Sequence, residues 1–179
     1  MQNMNENCVG FQRKSLYLCL TIPMMVMYIA IAVLLWNVSV TFFVIYCALF
    51  VLVAISQSYV CVYLECPYVG KFAPCVGGFC LPSSQIARWF RGGKRSERTY
   101  SIFVTIAFIA FMGIIVLPAY FLYQQGIIYL LIYIVLILCY AVGFLGFICP
   151  VCGTRYLCPG GQTSSKLIEM AKRKNHSRT

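Results

Sequence analysis

Acidic side chains are almost absent from this chain. Its 179 residues include no aspartate, four isolated glutamates (Glu6, Glu65, Glu97 and Glu169) and one histidine, His176. No pair of carboxylates is available for general acid–base chemistry, and no histidine cluster for a metal. No P-loop or dinucleotide-binding glycine pattern appears. Charge of either sign is scarce, at 10% of residues, while 61% are hydrophobic and the mean hydropathy is +0.84. A soluble domain carries about a quarter charged residues. So few charges cannot cover a water-facing surface, and the composition is that of an integral membrane protein.

The hydrophobic residues fall into four uncharged stretches, at about 16–36, 40–64, 102–123 and 127–148. Each has the ~20 residues a helix needs to cross a ~30 Å hydrocarbon core. None shows the two-residue alternation of a membrane strand. Helices also satisfy their own backbone hydrogen bonds in lipid. The expected fold is all-α, with four transmembrane helices. Pro23 and Pro118 fall inside spans, where each removes one amide donor. The first apolar stretch is longer than a signal-peptide core and lacks a small-residue cleavage site, so it is read as a retained span.

All 14 Lys and Arg residues lie on one side of this four-span plan: Arg13 and Lys14, then Lys71 through Arg98, then Arg155 through Arg178. The short opposite loops, near residues 37–39 and 124–125, carry none. Basic residues favour the cytoplasmic side, so both termini and both basic regions are expected to be cytoplasmic. The segments Arg88–Arg98 and Lys166–Arg178 each follow a Ser-Ser pair suited to starting a helix. Their partner is expected to be a bilayer with anionic headgroups, each base contributing about 1 kcal/mol. The net charge of +10 is explained by topology, and no nucleic-acid partner is expected.

A thirteen-residue signature occurs twice. CPYVGKFAPCVGG begins at Cys66 and CPVCGTRYLCPGG at Cys149, both obeying C-P-x-x-G-x-x-x-x-C-x-G-G. At an offset of 83 residues the two signatures superpose, Tyr17 falls on Tyr100, Tyr46 on Tyr129, and the spans coincide. Beyond the paired glycines the offset becomes 81, aligning Ser83-Ser84 with Ser164-Ser165. The chain therefore reads as two tandem repeats. Residues 1–98 comprise two spans, a cysteine loop (61–80) and a basic segment (83–98). Residues 99–179 comprise two spans, a loop (149–161) and a basic tail (164–179). An even number of spans per repeat makes the repeats parallel, related by an axis along the membrane normal, so both loops share one face.

Eleven cysteines occur. Cys19, Cys47 and Cys139 lie within spans and read as small hydrophobes; Cys8 has no copy. Seven remain in the loops: Cys61, Cys66, Cys75, Cys80, Cys149, Cys152 and Cys158. In a reducing compartment structural disulfides are rare, and cysteines among glycines and prolines suggest metal ligation. One cysteine pair per repeat gives Cys66, Cys75, Cys149 and Cys158, a four-thiolate set suited to Zn²⁺, with iron or an iron–sulfur cluster second. Within one repeat, Cys61, Cys66, Cys75 and Cys80 form a rival set. The second repeat cannot match it, because Phe144 replaces Cys61 and only Cys152 is added, with His176 distant in the tail. The shared site is therefore favoured. Acylation is a further reading of Cys61 or Cys80.

Cys149-Pro150-Val151-Cys152 is also the C-x-x-C arrangement of thiol–disulfide chemistry. With the helix count it resembles the disulfide-oxidase and vitamin-K-epoxide-reductase families, and that resemblance implies quinone-linked redox work by Cys149 and Cys152. Against it, those families work at the oxidising face. The favoured reading is a structural or accessory subunit or scaffold of a membrane complex, with a membrane-protein partner or a second copy of itself, rather than an enzyme. A small permease is the third reading, although no charge within a span marks an ion route.

Overall fold

A computed structural model describes residues 14–66, 80–90, 96–151, 161–167 and 170. Among these residues there is no strand. The helices are α1 (Lys14–Val38), α2 (Val40–Tyr63), α3 (Cys80–Phe90), α4 (Glu97–Gln125) and α5 (Ile127–Gly143). A π-helical turn, Phe144–Ile148, and a 3₁₀ turn, Cys149–Val151, continue α5. Four helical runs are long and apolar enough to cross a membrane: α1, α2, α4, and α5 with its π turn. The two spans that begin at the cysteine-loop end outrun the uncharged stretches. Helix α4 starts at Glu97 and α1 at Lys14, because a helix needs no break where its first turn reaches the headgroups.

Single residues close both hairpins. Ser39, in extended conformation, separates α1 from α2, and its N–H donates to the Leu35 carbonyl (2.8 Å). Gly126 separates α4 from α5 with φ +143°, a conformation that favours glycine. Ser39 shifted by the 83-residue offset is residue 122, four short of Gly126. The second hairpin therefore turns one helical turn later than the repeat predicts, at the residue able to take that φ.

Around the bundle the order is α1, α2, α4, α5, with α5 and its π turn returning to α1. Pairing is most extensive between α2 and α4, and α3 lies against α2. Helices α1 and α4 are thus diagonal, as are α2 and α5. Close approach is made at glycines. A Cβ on Gly113 of α4 would lie 3.0 Å from a Leu49 methyl of α2, and one on Gly143 of α5 would lie 3.1 Å from a Leu20 methyl of α1. Lipid gives apolar faces no reason to associate, so tight packing at small residues carries this role.

Polarity is inverted relative to a soluble bundle. The inward face of α1 is Tyr17, Thr21, Met24, Tyr28, Ile31 and Leu35, with the alternating steps of four and three of a left-handed helix seam. Tyr46, Ser56 and Ser58 of α2 and Tyr133 and Tyr140 of α5 are buried as well. The outward positions are aliphatic, among them Val26, Ile29, Val33, Ile109, Val116, Ile128 and Val142. Pro118 is buried and cannot donate to the Ile114 carbonyl. One residue along, the Tyr133 hydroxyl donates to the Ile115 carbonyl (2.9 Å), so α5 is tied to α4 within one turn of its proline.

Candidate metal centre

Both cysteine loops leave from the same end of the bundle, the ends of α2 and of α5 with its turns. Helix α2 stops in a Schellman arrangement. Glu65 takes φ +51°, its N–H donates to Val62, and the N–H of Cys66 donates to the Cys61 carbonyl (2.9 Å). Glycine is the usual residue at this left-handed position, so Glu65 holds it at a conformational cost of about 1 kcal/mol. Cys61 and Cys66 occupy the two cap positions that this motif typically brings into side-chain contact.

The end of α5 reaches a similar result by another route. Through the π turn, the Cys149 N–H donates to the Phe144 carbonyl. Each loop's first cysteine is thus anchored to the carbonyl five residues before it. Those anchors, Cys61 and Phe144, are the positions that the 83-residue offset pairs. Cys149 is 6% exposed and belongs to the core cluster, against which the half-buried Cys66 also packs. Tyr17, Phe144 and Ile148 belong to that cluster, with Tyr17 and Phe144 edge to face at 6.3 Å.

Beyond the second loop, residues 161–167 are helical and return to the bundle. Ser164 is buried there and donates to the Leu145 carbonyl in the π turn (2.7 Å). A fixed hydrogen bond therefore closes the loop that carries Cys149, Cys152 and Cys158. Both serine pairs were expected to start helices. Instead α3 begins at Cys80, ahead of Ser83, and Ser164 lies inside its helical segment and binds the membrane-end carbonyl.

Cys75, Cys152, Cys158 and His176 lie outside the described residues. Cys80 opens α3, and Cys61 sits in the last turn of α2, half-buried. Among the described residues no group of three or more metal-binding side chains comes together. Cys19, Cys47 and Cys139 are exposed on the bundle's outer surface, outside its core.

Aromatic rings mark the bundle ends. Tyr63 stacks on Tyr100 (4.3 Å) and Tyr59 on Phe103 (4.6 Å), with Phe90 of α3 against Tyr59. Helix α3 buries Ala87 and leaves Trp89 84% exposed. At the other end Trp36, Tyr123 and Tyr129 are exposed. Such belts form where a ring can sit at headgroup depth.

No protein-family model, curated protein or solved structure matches the chain. What it does must be read from its own residues.

Proposed function

We propose that this multi-pass membrane protein is built from two parallel repeats whose cytoplasmic loops share one metal, held by Cys66, Cys75, Cys149 and Cys158. Its role is that of a structural or accessory subunit or scaffold in a membrane complex. One observation carries the reading. The first cysteines of both loops are anchored alike, at repeat-equivalent carbonyls, and both stand where α2 and α5 end, at one end of the bundle. The cyclic order of the helices supports it too, since a two-fold axis would exchange α1 with α4 and α2 with α5.

The donor set fits a metal better than a redox pair. Cys66 follows the carboxyl end of α2 and Cys149 lies in the last turn that continues α5, where the helix dipole is negative. That end favours a cation and disfavours a bare thiolate, whereas reactive thiols favour helix amino ends and basic neighbours. Four thiolates suit zinc, with iron or an iron–sulfur cluster second. A metal shared by two loops would add its binding energy to the folded bundle. A permease has less support, because Leu35, Val53, Ile114 and Ile148 are fully buried in the interior.

Elemental analysis and an absorption spectrum of protein purified without added metal, under anaerobic conditions, test the proposal. One metal per chain is expected, lost alike in Cys66→Ser and Cys158→Ser and kept in Cys152→Ser. Colourless protein indicates zinc, and visible thiolate-to-iron bands indicate iron. Metal-free wild-type protein would sink the idea, and loss of metal in Cys152→Ser would move the site to another set.

A further inference from the structure

Away from the cysteine loops, the bundle interior gathers phenols from three helices. Tyr28 (α1), Tyr46 (α2), Tyr133 and Tyr140 (α5) are all buried, and the Phe50 ring lies 5.0 Å from those of both Tyr28 and Tyr46. Tyr133 has its partner in the Ile115 carbonyl. Tyr46 is 1% exposed, and its hydroxyl has no hydrogen-bond partner among the described residues. It sits six residues into α2 from the short-loop end, about 9 Å along the helix. A buried hydroxyl left unsatisfied in an apolar bundle is costly, and it retains both a donor and an acceptor.

We infer that this tyrosine cluster is a binding site for a small uncharged hydrogen-bonding molecule of water size, held by the Tyr46 hydroxyl. No Asp, Glu, Lys, Arg or His lies near this depth of any span, so a charged occupant would have no counter-ion. Ring size is excluded by packing. Phe50 stands edge to face against both Tyr28 and Tyr46, at 5.0 Å from each, so a quinone-like plane would have to displace it. Aliphatic side chains without exposure, Leu35 and Val53 among them, make this an enclosed site rather than a pore.

The test is Tyr46→Phe, which keeps the ring and deletes the hydroxyl, read by two measurements with water itself as the probe. In proton-detected solid-state NMR of the full chain in deuterated lipid, magnetisation transfer from water to the Tyr46 side chain is expected in the wild type. The thermal midpoint of Tyr46→Phe is expected to fall by about 2–4 °C, as for one lost hydrogen bond in a chain of this size. An unoccupied site gives the opposite sign, because deleting an unsatisfied hydroxyl removes its desolvation cost. A Tyr46 side chain without water transfer, or a midpoint that stays or rises, overturns the inference.

Discussion

The join between the two halves of the bundle rests on Gly113, and enlarging that residue gives a graded test. A Cβ there would stand 3.0 Å from Leu49 Cδ1 and 3.4 Å from Cδ2. Both atoms end a flexible side chain, so Gly113→Ala needs a shift of a few tenths of an ångström. It also gains up to ~1 kcal/mol of helix propensity. Alanine should therefore come out within about 1 kcal/mol of wild type. Leucine cannot be absorbed in this way. Its branched end would have to occupy the Leu49 position, wedging α2 from α4, and overpacking of this kind costs about 1–3 kcal/mol. For a chain of 150–250 residues each kcal/mol moves the midpoint by about 2–4 °C, so Gly113→Leu should melt roughly 2–12 °C lower. The control is Gly146→Leu, since a Cβ at Gly146 meets nothing within 4 Å. Melting in detergent, followed by reactivity of the thiols with a fluorescent maleimide, gives both midpoints under one condition. Equal midpoints for Gly113→Leu and Gly146→Leu would refute the close α2–α4 contact.

Other consequences can be measured with the same preparation. Tyr133→Phe leaves the Ile115 carbonyl without its side-chain donor beside Pro118, and the midpoint should fall by the equivalent of about 0.6 kcal/mol, the average for hydrogen bonds between membrane helices, and by no more than about 1.7; no fall means that this bond does not help to hold α5 on α4. Ser164→Ala removes the bond that closes the second loop, so proteolysis between residues 152 and 160 should quicken; an unchanged cleavage rate would separate that bond from loop order. Trp89 should be quenched by lipids brominated near the headgroup more than by lipids brominated at the chain end, in a Trp36→Phe background that leaves it the single indole. Equal quenching by the two lipids would place α3 away from the interface.

Much of this was legible from composition, and the reasons are physical. Length and absence of charge mark a spanning helix because lipid penalises anything else, so four spans were evident and their centres were right. Their ends were less so, since Glu97 and Lys14 are charged and yet helical; a first turn at headgroup depth tolerates charge that the middle does not. The seam of α1 was hidden for a different reason. Both of its faces are hydrophobic, so hydropathy has almost no preferred direction around the helix. The signal lay in residue type, with Tyr17, Thr21 and Tyr28 spaced by four and seven. The left-handed cap at Glu65 was not legible at all, because glycine or asparagine is the usual marker of that conformation. The candidate site was half legible. The repeated signature named Cys66 and Cys149, which the fold puts at the same end of the bundle, while Cys75, Cys152 and Cys158 lie beyond the described residues.

The approaches to the two cysteine loops show how the same sequence signature can follow two different local geometries. Cys66 is presented by a left-handed cap, Cys149 by a π-helical turn, and both solutions attach the cysteine amide five residues back. A Schellman cap ends a helix abruptly, whereas a π turn lets the chain continue in helical form while widening by one residue. Position 61 is a half-buried cysteine in the last turn of α2 in the first half. In the second half, Phe144 takes that place and fills the core against Tyr17 and Tyr140. The first half could thus spare a thiol at its anchor, and the second used the same position for packing. Under the proposed shared metal, the feature both halves would have to keep is the distance from anchor to first cysteine, because two loops could meet at one ion only if each left its helix at the same height.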